Sequence, residues 1–183
     1  MLYLTFVNVT ETFQKQKRRT GGHFVGEEKT AYSVSLLAPV SGWVIPLENV
    51  EDTVFSRKLL GDGIAFVPEE GSIFAPVDGV VDSIFPTLHA YTFTCTQGLE
   101  ILLHVGLGTI TLEGAGFRCF VQPGETVRAG QKIGEVDLAL LKARNLDPVT
   151  MLILCEGGEG MDMTVAGGCV TGGEDAVLTL CDM

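Results

Sequence analysis

Ala90 to Val105 reads AYTFTCTQGLEILLHV, and this stretch decides the fold. Aromatic and β-branched residues fill its first half, Gln97-Gly98 carries a turn signal, and LEILLHV returns with apolar residues. Such residues fit a pleated, half-buried surface, and a Gly-containing break between two such runs marks a β-hairpin. A two-residue turn at Gln97-Gly98 pairs His104 with Tyr91 and His89 with Gly106. His89 and Tyr91 are two apart and share a strand face. His89 then becomes a diagonal neighbour of His104, about 7–8 Å away. The inference depends on the turn, because a one-residue slip sends the two histidines to opposite faces.

Outward from the hairpin the texture repeats. LLAPVSGWVIPL (36–47), DGIAFVP (62–68), SIFAPVDGVVDSIFP (72–86), KIGEVDLALL (132–141), TMLILC (150–155) and AVLTL (176–180) are short apolar runs broken by turn residues. With 23 Gly and 7 Pro, the chain turns often. This spacing predicts an all-β sandwich or barrel of short strands. APVSGWV (38–44) and APVDGVV (75–81) echo one another, too few copies for a repeat architecture. A helix is expected over DLALLKAR, 137–144. Asp137 can cap it, and basic residues close it before Asp147-Pro148.

Composition narrows the function. The 183 residues suit one domain with a tail, and 46% hydrophobic content rules out wholesale disorder. Twelve Lys+Arg against 23 Asp+Glu give a net charge of −11. So acidic a chain is a poor binder of phosphate backbones, so no nucleic-acid partner is expected. No run of about 18 apolar residues exists, so no stable membrane insertion is expected. The start lacks the pattern of a signal peptide, which reads as cytoplasmic. The five cysteines are scattered without a CxxC, which argues against a disulfide framework and a structural zinc site.

Residues 1–33 read as a flexible leader ahead of one domain, 34–183. QKQKRR (14–19) is a local basic patch that could touch an anionic membrane or partner, and MLYLTFV could add a strand. His23 lies in this leader, so His89 and His104 are the histidines of the domain.

Two imidazoles on one face suit metal binding, general acid/base work or phosphoryl transfer; two unrelated, hydrogen-bonded histidines are the plain alternative. A zinc site wants a third protein ligand, and no acidic residue sits at a telling spacing, so no metal is expected. Phosphoryl transfer fits the neighbours better. A neutral imidazole nitrogen can attack a phosphoryl group while a second imidazole holds its oxygens. Gly106 and Gly108 leave room beside His104 for phosphate and for a partner's backbone. Thr87, two residues before His89, can orient that ring through its hydroxyl.

GLEILLHVGLGTI (98–110) resembles the phosphohistidine signature of the glucose-type IIA component of the bacterial sugar phosphotransferase system. GDGIAFVP (61–68), APVDG (75–79), FPTLHA (85–90), GAGF (114–117), GETVRAG (124–130) and VDLALL (136–141) fall in that family's order. The resemblance covers about residues 35–183. It implies an antiparallel β-sandwich of the barrel-sandwich hybrid type with short helical turns. It also implies that His104 accepts phosphate on Nε2, that His89 contacts the phosphoryl group, and that Thr87 orients His89. Val54 and Phe55, with Phe85 beside them, match an apolar ring that meets partners. Phosphate is expected from the phosphocarrier HPr and is expected to pass to a cysteine of a IIB domain of a sugar permease. No cofactor is implied. One departure is Gly108, where the family often has Asp near basic partners.

Three other functions compete with transfer. A regulatory binding protein, active when unphosphorylated, can coexist with transfer. A zinc endopeptidase of the lysostaphin type wants an HxH motif, which is missing. VQPGETVRAGQKIGEV (121–136) has the rhythm of biotinyl or lipoyl domains, but Lys132 sits at the wrong place to be modified.

Overall fold

The computed structural model describes residues 33–158 and 160–182. The leader, with its basic patch and apolar start, lies outside the described residues except for Ser33. Among the described residues there are fourteen strands: β1 Ser33–Leu37, β2 Gly42–Pro46, β3 Asp62–Pro68, β4 Ser72–Phe74, β5 Gly79–Ile84, β6 Ala90–Cys95 and β7 Glu100–Val105. Then follow β8 Phe117–Cys119, β9 Thr126–Val127, β10 Lys132–Val136, β11 Thr150–Glu156, β12 Met161–Val165, β13 Gly168–Val170 and β14 Ala176–Asp182. Two short α-helices, α1 (Thr53–Ser56) and α2 (Leu138–Ala143), complete the set with two one-turn 3-10 segments. Every strand pairing among the described residues is antiparallel, as the family resemblance implies.

The main sheet runs β13-β2-β3-β11-β7-β6-β5-β9, and two three-stranded sheets, β1-β14-β12 and β4-β10-β8, accompany it. Strand periodicity sorts the residues of the main sheet onto two faces. Ile64, Phe66, Tyr91, Phe93, Ile101, Leu103 and Leu152 join the large core with Leu36, Ile73, Ile133 and Leu178 from the smaller sheets. Each such side chain, buried almost fully, contributes on the order of 1.5–3 kcal/mol relative to exposure. The opposite face carries Ala65, Met151, His104 and Ala90, which sit in one row of register partners across β3, β11, β7 and β6.

The hairpin register differs from the sequence expectation. Cys95 N–H donates to the Leu99 carbonyl at 3.0 Å and Gly98 N–H to the Cys95 carbonyl at 2.9 Å. The turn therefore holds Thr96, Gln97 and Gly98, with Gly98 at φ 84° in the left-handed region. Three-residue hairpins are built this way, a turn closed by one left-handed residue. The extra residue shifts the pairing by one. Ala90, not Tyr91, opposes His104, and Tyr91 opposes Leu103 in the core.

α2 forms where the sequence places it. Asp137 caps it by accepting from Leu140 N–H at 2.9 Å, and Arg144 closes it. Leu141 is its buried residue.

Candidate active site

His104 sits near the end of β7, an interior strand paired with β6 on one side and β11 on the other. Its neighbour Met151 on β11 is fully buried and, with Ala90 on β6, shares its row. The ring is thus seated on paired backbone.

His89 arrives differently. It lies in the loop between β5 and β6, closed by the bond from Phe85 N–H to the Ala90 carbonyl at 2.9 Å. Within that loop Leu88 N–H donates to the Phe85 carbonyl at 2.8 Å, and Leu88 takes φ 58°. The left-handed residue bends the chain just before β6 starts, although the His89 carbonyl still accepts from Val105 N–H at 2.8 Å. Its ring meets that of His104 edge-on, with centroids 4.9 Å apart and planes at 78°. The register shift that would separate two strand residues therefore does not separate these. Thr87 belongs to the same loop, and its Oγ1 is 2.6 Å from His89 Nδ1. Either atom can donate in that bond, according to the ring's tautomer.

Two phenylalanines wall the pair. Phe85, half-buried, meets His89 edge-on at 5.3 Å between centroids. Phe55 lies 5.0 Å from His104 and is only 2% exposed, so it packs on the imidazole rather than presenting an open face. Val54 beside it is half-buried. Both ride on α1, whose start is fixed by Asp52, accepting from Val54 N–H at 2.8 Å.

After His104 the chain turns sharply. Gly106 is buried at φ 75°, and a Cβ there would lie 2.4 Å from Thr109 Cγ2 and 3.1 Å from the Asp147 carbonyl oxygen. Only glycine meets both demands. Gly108, at φ 70°, is exposed, and a Cβ there would meet only Leu146 Cδ2, at 3.4 Å. Asp52 and Thr109 carried no signal in the sequence reading. Thr109 is fully buried, and its hydroxyl donates to the Val105 carbonyl at 2.8 Å and, at 3.3 Å, to that of Gly106. Its place directly after the two glycines is the one hint that a side chain must staple that turn.

Burial sets the protonation of the pair. His89 is pushed down to about 4 by loss of water around the ring. His104 is pushed down to about 3, first by burial and then by His89, with the Gly106 backbone pulling weakly the other way. Both rings are therefore neutral near pH 7. The Nδ1 atom of His104 is buried and makes no hydrogen bond of good geometry. The site thus offers one neutral ring against a second that a hydroxyl holds, between two aromatic walls.

The chain matches the model of a protein family, "phosphoenolpyruvate-dependent sugar phosphotransferase system, EIIA 1", over residues 34–159. It is 37% identical over 157 residues to the PTS system glucose-specific EIIA component of Haemophilus influenzae, covering 86% of this chain and 95% of that protein. It is 45% identical over 124 residues to the PTS system glucose-specific EIICBA component of Staphylococcus saprophyticus, covering 68% of this chain. Only 18% of that longer protein is spanned. Among solved structures, the glucose permease IIA from Mycoplasma capricolum superimposes with a TM-score of 0.75 at 36% identity, covering 84% of this chain and 99% of that one. The sheets, the paired imidazoles and these likenesses converge: the chain belongs to the EIIA 1 family of the phosphoenolpyruvate-dependent sugar phosphotransferase system and is a phosphocarrier component.

Proposed function

We propose that His104 accepts a phosphoryl group on Nε2 from phospho-HPr and hands it to a cysteine of a IIB domain, in service of a glucose-type permease. The observation that carries this reading is the pair of neutral imidazoles, edge-on at 4.9 Å, with one of them held by Thr87. Burial of His104 Nδ1 leaves Nε2 as the nitrogen a partner can approach. The Nε2 lone pair forms the new N–P bond as the donor's N–P bond breaks, and the donor nitrogen recovers its electron pair. At the next transfer the cysteine thiolate, its proton already lost, forms the S–P bond as the Nε2–P bond breaks, and Nε2 regains its lone pair. Such transfer is mostly positioning and charge stabilisation, which suits two rings on a firm sheet. His89 contributes a hydrogen bond to the phosphoryl oxygens, with Thr87 fixing its tautomer. Phe85, Val54 and the exposed Gly108 line the approach, with Phe55 and the buried Gly106 behind them.

Incubation with phospho-HPr, followed by mass spectrometry, tests this. A single phosphate on His104 is expected, lost in His104→Ala. His89→Gln is expected to accept phosphate but to pass it to a IIB domain at least about a hundredfold more slowly. Phosphate on any other residue would overturn the assignment.

A further inference from the structure

Tyr91 is fully buried in the core, yet its hydroxyl meets no hydrogen-bond partner of good geometry among the described residues. A buried donor without an acceptor costs free energy and calls for an explanation. Its surroundings are specific. β8 and β10 pair so that Cys119 opposes Gly134. A Cβ on Gly134 would lie 2.9 Å from the Tyr91 hydroxyl oxygen, so the missing side chain is what lets the phenol reach this pair of strands. Burial holds the phenol proton on, and the Cys119 sulfur acts on it in the same direction. Cys119 is itself only half-buried, and its thiol donates to the Val121 carbonyl at 3.1 Å. The residue therefore has an edge to solvent and an unspent donor beside its sulfur. The other cysteines lack that setting. Cys95 is buried, while Cys169 and Cys181 are exposed. Cys155 is half-buried, and its thiol is pushed up to about 12 by burial, with Glu100 and Glu156 adding to the effect.

We infer that Cys119 is an oxidation site at which the Tyr91 hydroxyl holds the oxygen of the sulfenic acid. The oxidant is a hydroperoxide such as hydrogen peroxide. The thiol gives up its proton and the sulfur attacks one peroxide oxygen. The S–O bond forms as the O–O bond breaks, and the hydroxide that leaves takes up the proton as water. Sulfur loses two electrons and the peroxide gains them. The new oxygen is a strong acceptor where the thiol offered a weak one, so the Tyr91 O–H gains the partner it lacks. Folding then favours the oxidised form, because only the folded chain sets the phenol beside it. None of this needs phosphate transfer at His104.

A pulse of hydrogen peroxide is quenched with catalase, and dimedone is added after increasing delays. Peptide mass spectrometry then reads the sulfenic acid at each cysteine, with the exposed Cys169 of the same molecule as reference. The sulfenic acid at Cys119 is expected to persist about tenfold longer than that at Cys169, as one strong hydrogen bond allows. Tyr91→Phe keeps the ring, removes the donor and is expected to erase most of that difference. Urea should erase it in the unaltered protein too, which keeps the comparison independent of how the variant folds. Cys119→Ser should lose the label. Absence of label at Cys119 would overturn the inference, as would a lifetime there equal to that at Cys169. A long lifetime that survives in folded Tyr91→Phe, or in urea, would also overturn it.

Discussion

At the residue scale, Thr87 is the smallest part with the clearest expected effect. Its 2.6 Å bond to His89 Nδ1 fixes a ring that sits in a loop rather than in a strand. Thr87→Val keeps the shape and removes the bond. Transfer onward from His104 should slow about three- to tenfold, as expected for one lost hydrogen bond, while phosphate uptake changes less. Stopped-flow assay of each half-reaction checks the split. Gly106→Ala is expected to act on stability. Left-handed backbone and a 2.4 Å encounter with Thr109 Cγ2 should destabilise the fold by on the order of 3 kcal/mol, measured by urea unfolding. The sequence exposed both histidines and Thr87 because imidazoles and hydroxyls are few and chemically loud. It did not expose Thr109 or Asp52, whose work is to bond nearby backbone that only the folded turns bring into place.

At the scale of elements, α2 and the β6–β7 hairpin teach opposite lessons. The ends of α2 were legible because its cap is local: Asp137 and Leu140 are three residues apart. Asp137→Ala should cost about 1 kcal/mol, seen as a fall of a few degrees in melting temperature. The hairpin existed where the strand propensities placed it, but its register did not follow. Register turns on one residue of loop length, and Thr96-Gln97-Gly98 closes by a bond from Gly98 to Cys95 that composition cannot reveal. The two histidines meet nonetheless, with His89 placed directly after the bend at Leu88, whose φ is 58°. That non-glycine left-handed residue carries no sequence signature. Phe55 illustrates a further limit. Its position in the motif was readable, whereas its 2% exposure depends on how α1 lies over the sheet.

At the scale of the whole molecule, protonation and net charge govern behaviour. Both site histidines bind protons less readily folded than unfolded, where they titrate near 6.5. Between about pH 6.5 and 4 the unfolded chain therefore holds more protons than the folded one, and stability falls as the pH drops through that window. The depression of His89 to about 4 corresponds to on the order of 3 kcal/mol. His89→Gln should flatten the decline, and chemical denaturation at pH 7, 5.5 and 4.5 measures it. On the proposed transfer, the net charge of −11 favours encounter with a basic donor, so uptake of phosphate from HPr should slow as salt rises, a trend that stopped-flow kinetics would show.

His104 stands on an interior strand, hydrogen-bonded along both edges. A phosphoryl group placed there, as proposed, adds nearly two negative charges to a strand whose backbone is already paired on both sides. The sheet around His104 should keep the same backbone pairing in loaded and unloaded molecules alike. Any protein that tells them apart must sense potential at close range instead of a change of shape. The state of such a carrier is a message written in charge on an unmoving frame, legible only to a reader already in contact with it.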